Sequence, residues 1–185
     1  MINSTELDIE IAFTGFLFTE LQGFENLPDN FLFNTSNFWR EQLIVWIEYI
    51  RNTFQSNCPQ VVIEQNSLSI GLQLTDDESI TQLNKKWRQK PIKTDVLAFP
   101  ALDQDIVFPG SPIIELGDII VSVPTAKSQA LEHKHSLDFE LRWLVSHGLL
   151  HLLGWDHPDS NSLNQMLSLQ EQLLAISVNL SSAGI

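Results

Sequence analysis

His147 and His151 stand four residues apart in the segment His147-Gly-Leu-Leu-His151-Leu-Leu-Gly154-Trp-Asp156-His157. On a helix that spacing sends both imidazoles out of one face, one turn apart. Gly154 follows three residues later, where a glycine can take the left-handed conformation that ends a helix and reverses the chain. The reversal can return His157 to the same point. Three imidazoles converging with one position left open are the ligand set of a catalytic zinc rather than of a closed structural site. Three of the chain's five histidines fall within these eleven residues, which argues for metal binding over scattered surface or capping roles.

The spacing repeats the metzincin frame H-E-x-x-H-x-x-G-x-x-H with one substitution: Gly148 stands where that frame has its general-base glutamate. A glycine accepts no proton, so the usual zinc-protease mechanism lacks its base here. With three histidine ligands, a zinc could polarise a phosphoryl oxygen or bring the pKa of water toward about 7. Asp156, next to His157, fits two roles equally, orienting an imidazole or serving the turn after Gly154. Glu140 lies two turns before His147 on a similar face and is read as a cation partner or a helix-start residue.

The elements that must hold these residues follow from periodicity. Residues 7–13 alternate as a strand with one buried face, and residues 14–36 form a long connection with a short helix around Phe16 to Leu21. Ser36 or Asn37 can cap a helix over about 38–54, where Leu43, Trp46, Ile47 and Ile50 repeat at helical spacing. Residues 68–74 alternate as a second strand, with Val61 to Glu64 as a candidate strand before it. Thr75 to Glu78 spell a capping box for a helix over about 76–89, ended by Pro91. Val96 to Phe99 and the β-branched run 116–123 are strands, separated by a loop over 101–115. Helices follow over about 124–132, from Ser136 through both helical histidines, and from Asp159 to about Ile176. Trp143, Leu144, Val145, Leu149, Leu152 and Leu153 make the histidine helix apolar nearly all round, so it should be buried and central. The expected fold is α/β (α+β): one domain over 1–185, a mixed sheet of about four strands packed with helices, and a loose tail over about 178–185.

Composition narrows the setting. The lone Cys58 allows no intrachain disulfide, and no signal sequence or bilayer-length apolar run is present, so a cytoplasmic protein with no membrane partner is expected. A net charge of −13 argues against nucleic acid as a partner, taken alone. Its distribution points the other way, because Lys85, Lys86, Arg88, Lys90 and Lys93 put five of the ten Lys and Arg residues within nine positions. Such a strip can steer a phosphate backbone, although part of it also suits the helix dipole.

The histidine segment resembles the signature of the YbeY-type endoribonuclease family, the bacterial ribosomal RNA maturation factors. A second block agrees: Leu83-Asn84, Arg88, and Thr94-Asp95-Val96-Leu97-Ala98-Phe99-Pro100 are similar, in gap-free register, to the family's run from a functional arginine to T-D-V-L-S-F-P. Leu116 to Ile119 and His135-Ser136 are further matches. The resemblance is firm over about residues 68–157. Trp87 stands for a common tyrosine, Gln89 for a glycine, Lys93 for a proline and Ala98 for a serine, and the loops 14–36 and 101–115 are longer than the family minimum.

The resemblance implies one zinc per chain held by His147, His151 and His157, and Arg88 as the functional arginine. It implies RNA as partner, specifically ribosomal RNA of the small ribosomal subunit. The activity implied is a zinc-dependent, single-strand-specific endoribonuclease in 3′-end processing and ribosome quality control. Two rivals remain at this level: a metzincin-like zinc peptidase or hydrolase lacking its glutamate base, and a non-catalytic ribosome-assembly factor with a structural zinc.

Overall fold

A computed structural model describes residues 6–16, 32–102 and 113–177. Its strands are β1 (Asp8–Thr14), β2 (Ser67–Thr75), β3 (Val96–Pro100) and β4 (Ile114–Ser122). Its helices are α1 (Ser36–Thr53), α2 (Gln60–Glu64), α3 (Asp77–Arg88), α4 (Val123–His133), α5 (Leu137–Leu152) and α6 (Ser160–Ala175). The four strands form one mixed sheet in the order β1-β2-β4-β3, with β1, β2 and β4 parallel and β3 antiparallel to β4. The expected α/β architecture with a four-stranded mixed sheet is therefore present.

Pairing register sorts the side chains onto two faces. Ile70, Leu72 and Leu74 of β2 and Ile119 and Val121 of β4 are buried in one large core with α1, α5 and α6. On the other face, Leu97 and Ile120 meet Ile80 of α3 in a smaller cluster that includes Leu83 and Phe99. Leu97 and Ile120 are direct partners in the β3–β4 ladder, so they share a side of the pleat. Thus α3 and α5 lie on opposite sides of the β3–β4 half of the sheet.

Hydrogen bonds from Ser122 to the Asp95 carbonyl and from Ala101 to the Leu116 carbonyl fix the phase of the β3–β4 ladder. Residues 97 and 99 turn their backbone groups toward β4, whereas Ala98 turns its carbonyl to the free edge. That edge matters for Arg88 below.

Four local expectations shift. Thr35, not Ser36 or Asn37, caps α1, accepting from the Phe38 amide. Val61 to Glu64 form a helical turn after Pro59 instead of a strand, because Arg51 of α1 draws the carbonyls of Ile63 and Gln65 to its guanidinium. Asp76 caps α3 through the Ser79 amide, while Thr75 remains the buried last residue of β2. β4 starts two residues early, at Ile114, because a register shift near Ser69 and Ile70 lets the ladder extend past Gly117. The short helix expected around Phe16 to Leu21, the body of the 101–115 loop and the tail over 178–185 lie outside the described residues.

Candidate metal centre

α5 starts at Ser136, whose hydroxyl accepts from the Phe139 amide, and runs buried through the core as its apolar circumference requires. It packs on β3 and β4 on one side and on α4 and α6 on the others. The fit is closest at Gly148: a Cβ there would lie 2.7 Å from Cγ2 of Ile119 on β4. The position that holds the glutamate in metzincins is here a contact between helix and sheet. A longer side chain has no room to reach the histidines.

α5 ends as the glycine predicted. Gly154 has φ of +87°, and the amides of Gly154 and Trp155 return to the carbonyls of His151 and Leu150. Trp155 then packs edge-on against Phe54, the residue that follows α1, which anchors the reversed chain. Asp156 accepts from the backbone amide of His157 through one carboxylate oxygen, which serves the turn, and its charge also acts on His151. Asp159 follows with a capping box at the start of α6.

These elements bring His147, His151 and His157 together. One donor nitrogen from each lies within 4.8 Å of the others, and Nε2 of His147 is 3.1 Å from Nε2 of His151. The nitrogens of a tetrahedral zinc site with bonds of about 2.05 Å stand roughly 3.3 Å apart, so small rotations of the rings complete the set. Among the described residues no fourth His, Cys, Asp or Glu joins the group, which leaves one side open.

Gln170 of α6 is the residue that sequence reasoning missed. Its side-chain nitrogen donates to the Trp143 carbonyl at 3.1 Å, so its oxygen faces Nδ1 of His147 at 3.2 Å. That oxygen accepts a hydrogen bond from Nδ1–H, so Nε2 keeps its lone pair for a metal. A polar residue fully buried in α6 was the signal available, but only the packing of α6 on α5 gives it a partner.

Electrostatics favour the same state. Burial holds the His147 imidazole below its ordinary pKa, with His157 adding to the effect against the opposing pull of Gln170 and Asp95. Burial also lowers His151, helped by His147 and His157 and opposed by the Trp155 backbone and Asp156. Neutral imidazoles are what a metal needs.

Arg88 is exposed at the end of α3. Its Nη2 donates to the outward carbonyl of Ala98 at 3.4 Å, at the free edge of the strand that packs on α5. Of the basic strip, Lys93 pairs with Asp77 at 2.9 Å, whereas Lys86 lies 4.9 Å over the ring of Trp87.

A second group, His133, His135 and Glu140, also places donor atoms within 4.8 Å. Glu140 is buried in the first turn of α5 and meets His135, so it ties the α4–α5 turn to α5.

Comparison with known proteins places this geometry in a family. The family model described as Endoribonuclease YbeY matches residues 34–177. A protein named Endoribonuclease YbeY from Prochlorococcus marinus (strain MIT 9211) is 52% identical over 175 residues, covering 94% of this chain and 89% of that one. Another of that name, from Prochlorococcus marinus (strain MIT 9313), is 59% identical over 138 residues, covering 75% and 74%. The solution structure of TM1509 from Thermotoga maritima has a TM-score of 0.45 and 25% identity, covering 71% of this chain and 80% of that one.

Proposed function

The chain belongs to the Endoribonuclease YbeY family, and from that premise we propose that it is a zinc-dependent endoribonuclease cutting single-stranded RNA, acting as one domain in the cytoplasm. Its substrate is ribosomal RNA of the small subunit, in 3′-end maturation and ribosome quality control. The observation that carries the reading is the convergence of His147, His151 and His157, with one side open, in a chain of this family.

His147 and His151 would hold the ion from α5, and His157 would complete the set from the reversed chain. Gln170 fixes the tautomer of His147. A bound zinc supplies Lewis-acid polarisation of a phosphoryl oxygen. Arg88 approaches from the β3 edge and grips the same phosphate with two parallel hydrogen bonds, which a lysine cannot form. Such a donor stabilises charge developing on the phosphoryl oxygens, and its loss costs on the order of 10²–10³ in rate.

The peptidase alternative is disfavoured because Gly148 packs on Ile119 with no space for a base. A closed structural site is disfavoured by the absence of a fourth donor among the described residues. No helix of the described residues is long and apolar enough to cross a membrane.

The deciding experiment incubates metal-loaded protein with labelled structured RNA and, separately, with casein, each with and without chelator. RNA products that need metal and vanish in His151→Ala are expected. Arg88→Ala and Arg88→Lys should keep zinc and melting temperature while RNA cleavage collapses. Casein cleavage without RNA cleavage would reverse the assignment, and near-parental cleavage by Arg88→Ala would remove Arg88 from the site.

A further inference from the structure

Of the chain's five tryptophans, Trp39 and Trp46 are fully buried, and Trp143 and Trp155 are partly so. Trp87 is 61% exposed. It projects from the last turn of α3, braced at 6.1 Å by the ring of Phe99 in an edge-on arrangement. Around it stand Lys85, Lys86, Arg88 and Lys90, all exposed. Leaving a tryptophan in water forgoes the burial that stabilises the other four, and a ring so exposed among cations offers a ligand an aromatic surface.

The surroundings select that ligand. Four exposed cations on or beside the ring, with Lys86 Nζ 4.9 Å over it, make an apolar protein partner unfavourable, since docking one would strip water from charged groups. A polyanion that also carries flat π-faces satisfies both features at once. In a duplex the base faces are stacked on one another, so the complementary partner is an unpaired strand. The rest of the chain is strongly acidic, which repels phosphate and confines such binding to this strip.

Position adds a direction. Arg88, the next residue, reaches the outward carbonyl of Ala98 on the edge of β3, and β3 packs on α5 with its two histidines. A strand stacked on Trp87 meets Arg88 next, on the path from the α3 side of the sheet around its edge to the α5 side.

We propose that Trp87 is a base-stacking platform for single-stranded RNA, flanked by Lys85, Lys86 and Lys90 as phosphate contacts. The site holds one unpaired base by its π-face, without reading its sequence. This rests on the endoribonuclease reading, whose substrate strand it would grip outside the metal centre.

The test uses full-length, zinc-loaded protein and 2′-O-methyl oligouridine of about twelve nucleotides, within the usual span of single-strand sites. A strand of equal charge bearing abasic positions serves as control. RNA binding should quench tryptophan fluorescence in the parent. Trp87→Leu, which keeps an apolar side chain but no aromatic face, should bind on the order of tenfold more weakly, with an unchanged salt dependence of affinity. Trp87→Phe should restore most of the affinity, and the abasic strand should bind parent and Trp87→Leu alike. Lys85→Ala should instead reduce the salt dependence and leave the preference for bases over abasic positions intact. Equal affinity of Trp87→Leu and parent for the oligouridine would overturn the platform while leaving RNA cleavage and the endoribonuclease reading standing. Preference of the parent for polyglutamate over oligouridine would assign the patch to an acidic protein partner instead. Failure of every form to bind or cut any RNA would sink the endoribonuclease reading, and the platform with it.

Discussion

The side-chain oxygen of Gln170 lies 3.2 Å from Nδ1 of His147, joining α6 to α5 directly behind the metal-binding edge of the imidazole. The amide cannot turn over, because its nitrogen donates to the Trp143 carbonyl and lies 3.5 Å from the Ser146 hydroxyl. One buried side chain therefore sets both the tautomer and the ring plane of His147.

Gln170→Leu keeps the volume and removes the acceptor. Zinc affinity should fall about 10–100-fold, the range seen when such supporting hydrogen bonds are lost. Competition against a chelator of known affinity measures it. Unchanged affinity would show that the amide only fills space.

The metal-free protein should be acid-labile through its histidines. Burial lowers the pKa of His147 and His151, so the unfolded chain takes up their protons first as pH falls. Their contribution is fully present above the ordinary value of 6.5 and is lost as pH drops through the folded values. Between about pH 7 and pH 5 the melting temperature of the apo-protein should drop. In a His147→Asn/His151→Asn variant the drop should be smaller. Parallel curves for the two proteins would contradict this account.

Gly148→Ala should cost about 1–3 kcal/mol, because its Cβ would overlap Cγ2 of Ile119. Combining it with Ile119→Ala should restore part of the loss, giving a coupling of more than about 0.5 kcal/mol in a double-mutant cycle. Gly148→Glu should be more destabilised and gain no peptidase activity. Strictly additive denaturation energies would place the clash elsewhere.

Asp77 ties three elements together. Burial raises its pKa, but hydrogen bonds from Ser122 and Thr125 and the bonded charge of Lys93 outweigh that and hold it below 3.8. A depressed carboxyl stabilises the fold above its unfolded pKa and loses that effect as pH falls through the folded value. Asp77→Asn should therefore cost about 1–2 kcal/mol at neutral pH, a gap that narrows below about pH 4. Chemical denaturation across that range follows it, and a gap that persists undiminished in acid would rule out the ionised form as the cause.

Legibility in the sequence divides along the range of the interactions. The strands of 7–13 and 68–74 and the helix caps at Ser136 and Asp159 were readable because period and capping are local. The turn of Val61 to Glu64 was not, because Arg51, ten or more residues upstream, draws its carbonyls together. Asp156 left two roles open in the sequence, and the structure adds a bond to a backbone amide one residue away that serves the turn.

The sequence by itself determined the histidine triad. Spacing of four on a helix followed by a glycine reversal is a chain-local geometry that brings His147, His151 and His157 together, and the contact of Trp155 with Phe54 then anchors the reversal. Tertiary structure alone decided what surrounds them. That Gly148 is a packing surface, that Gln170 backs His147, and that Arg88 lies on the β3 edge all depend on which element lies across from which. Those partners are separated by 29, 23 and 10 residues in the chain, as the numbering of Ile119 with Gly148, His147 with Gln170 and Arg88 with Ala98 shows. Burial of apolar faces assembles them, and that driving force is non-directional, so the pattern of one segment does not name the residue it will meet.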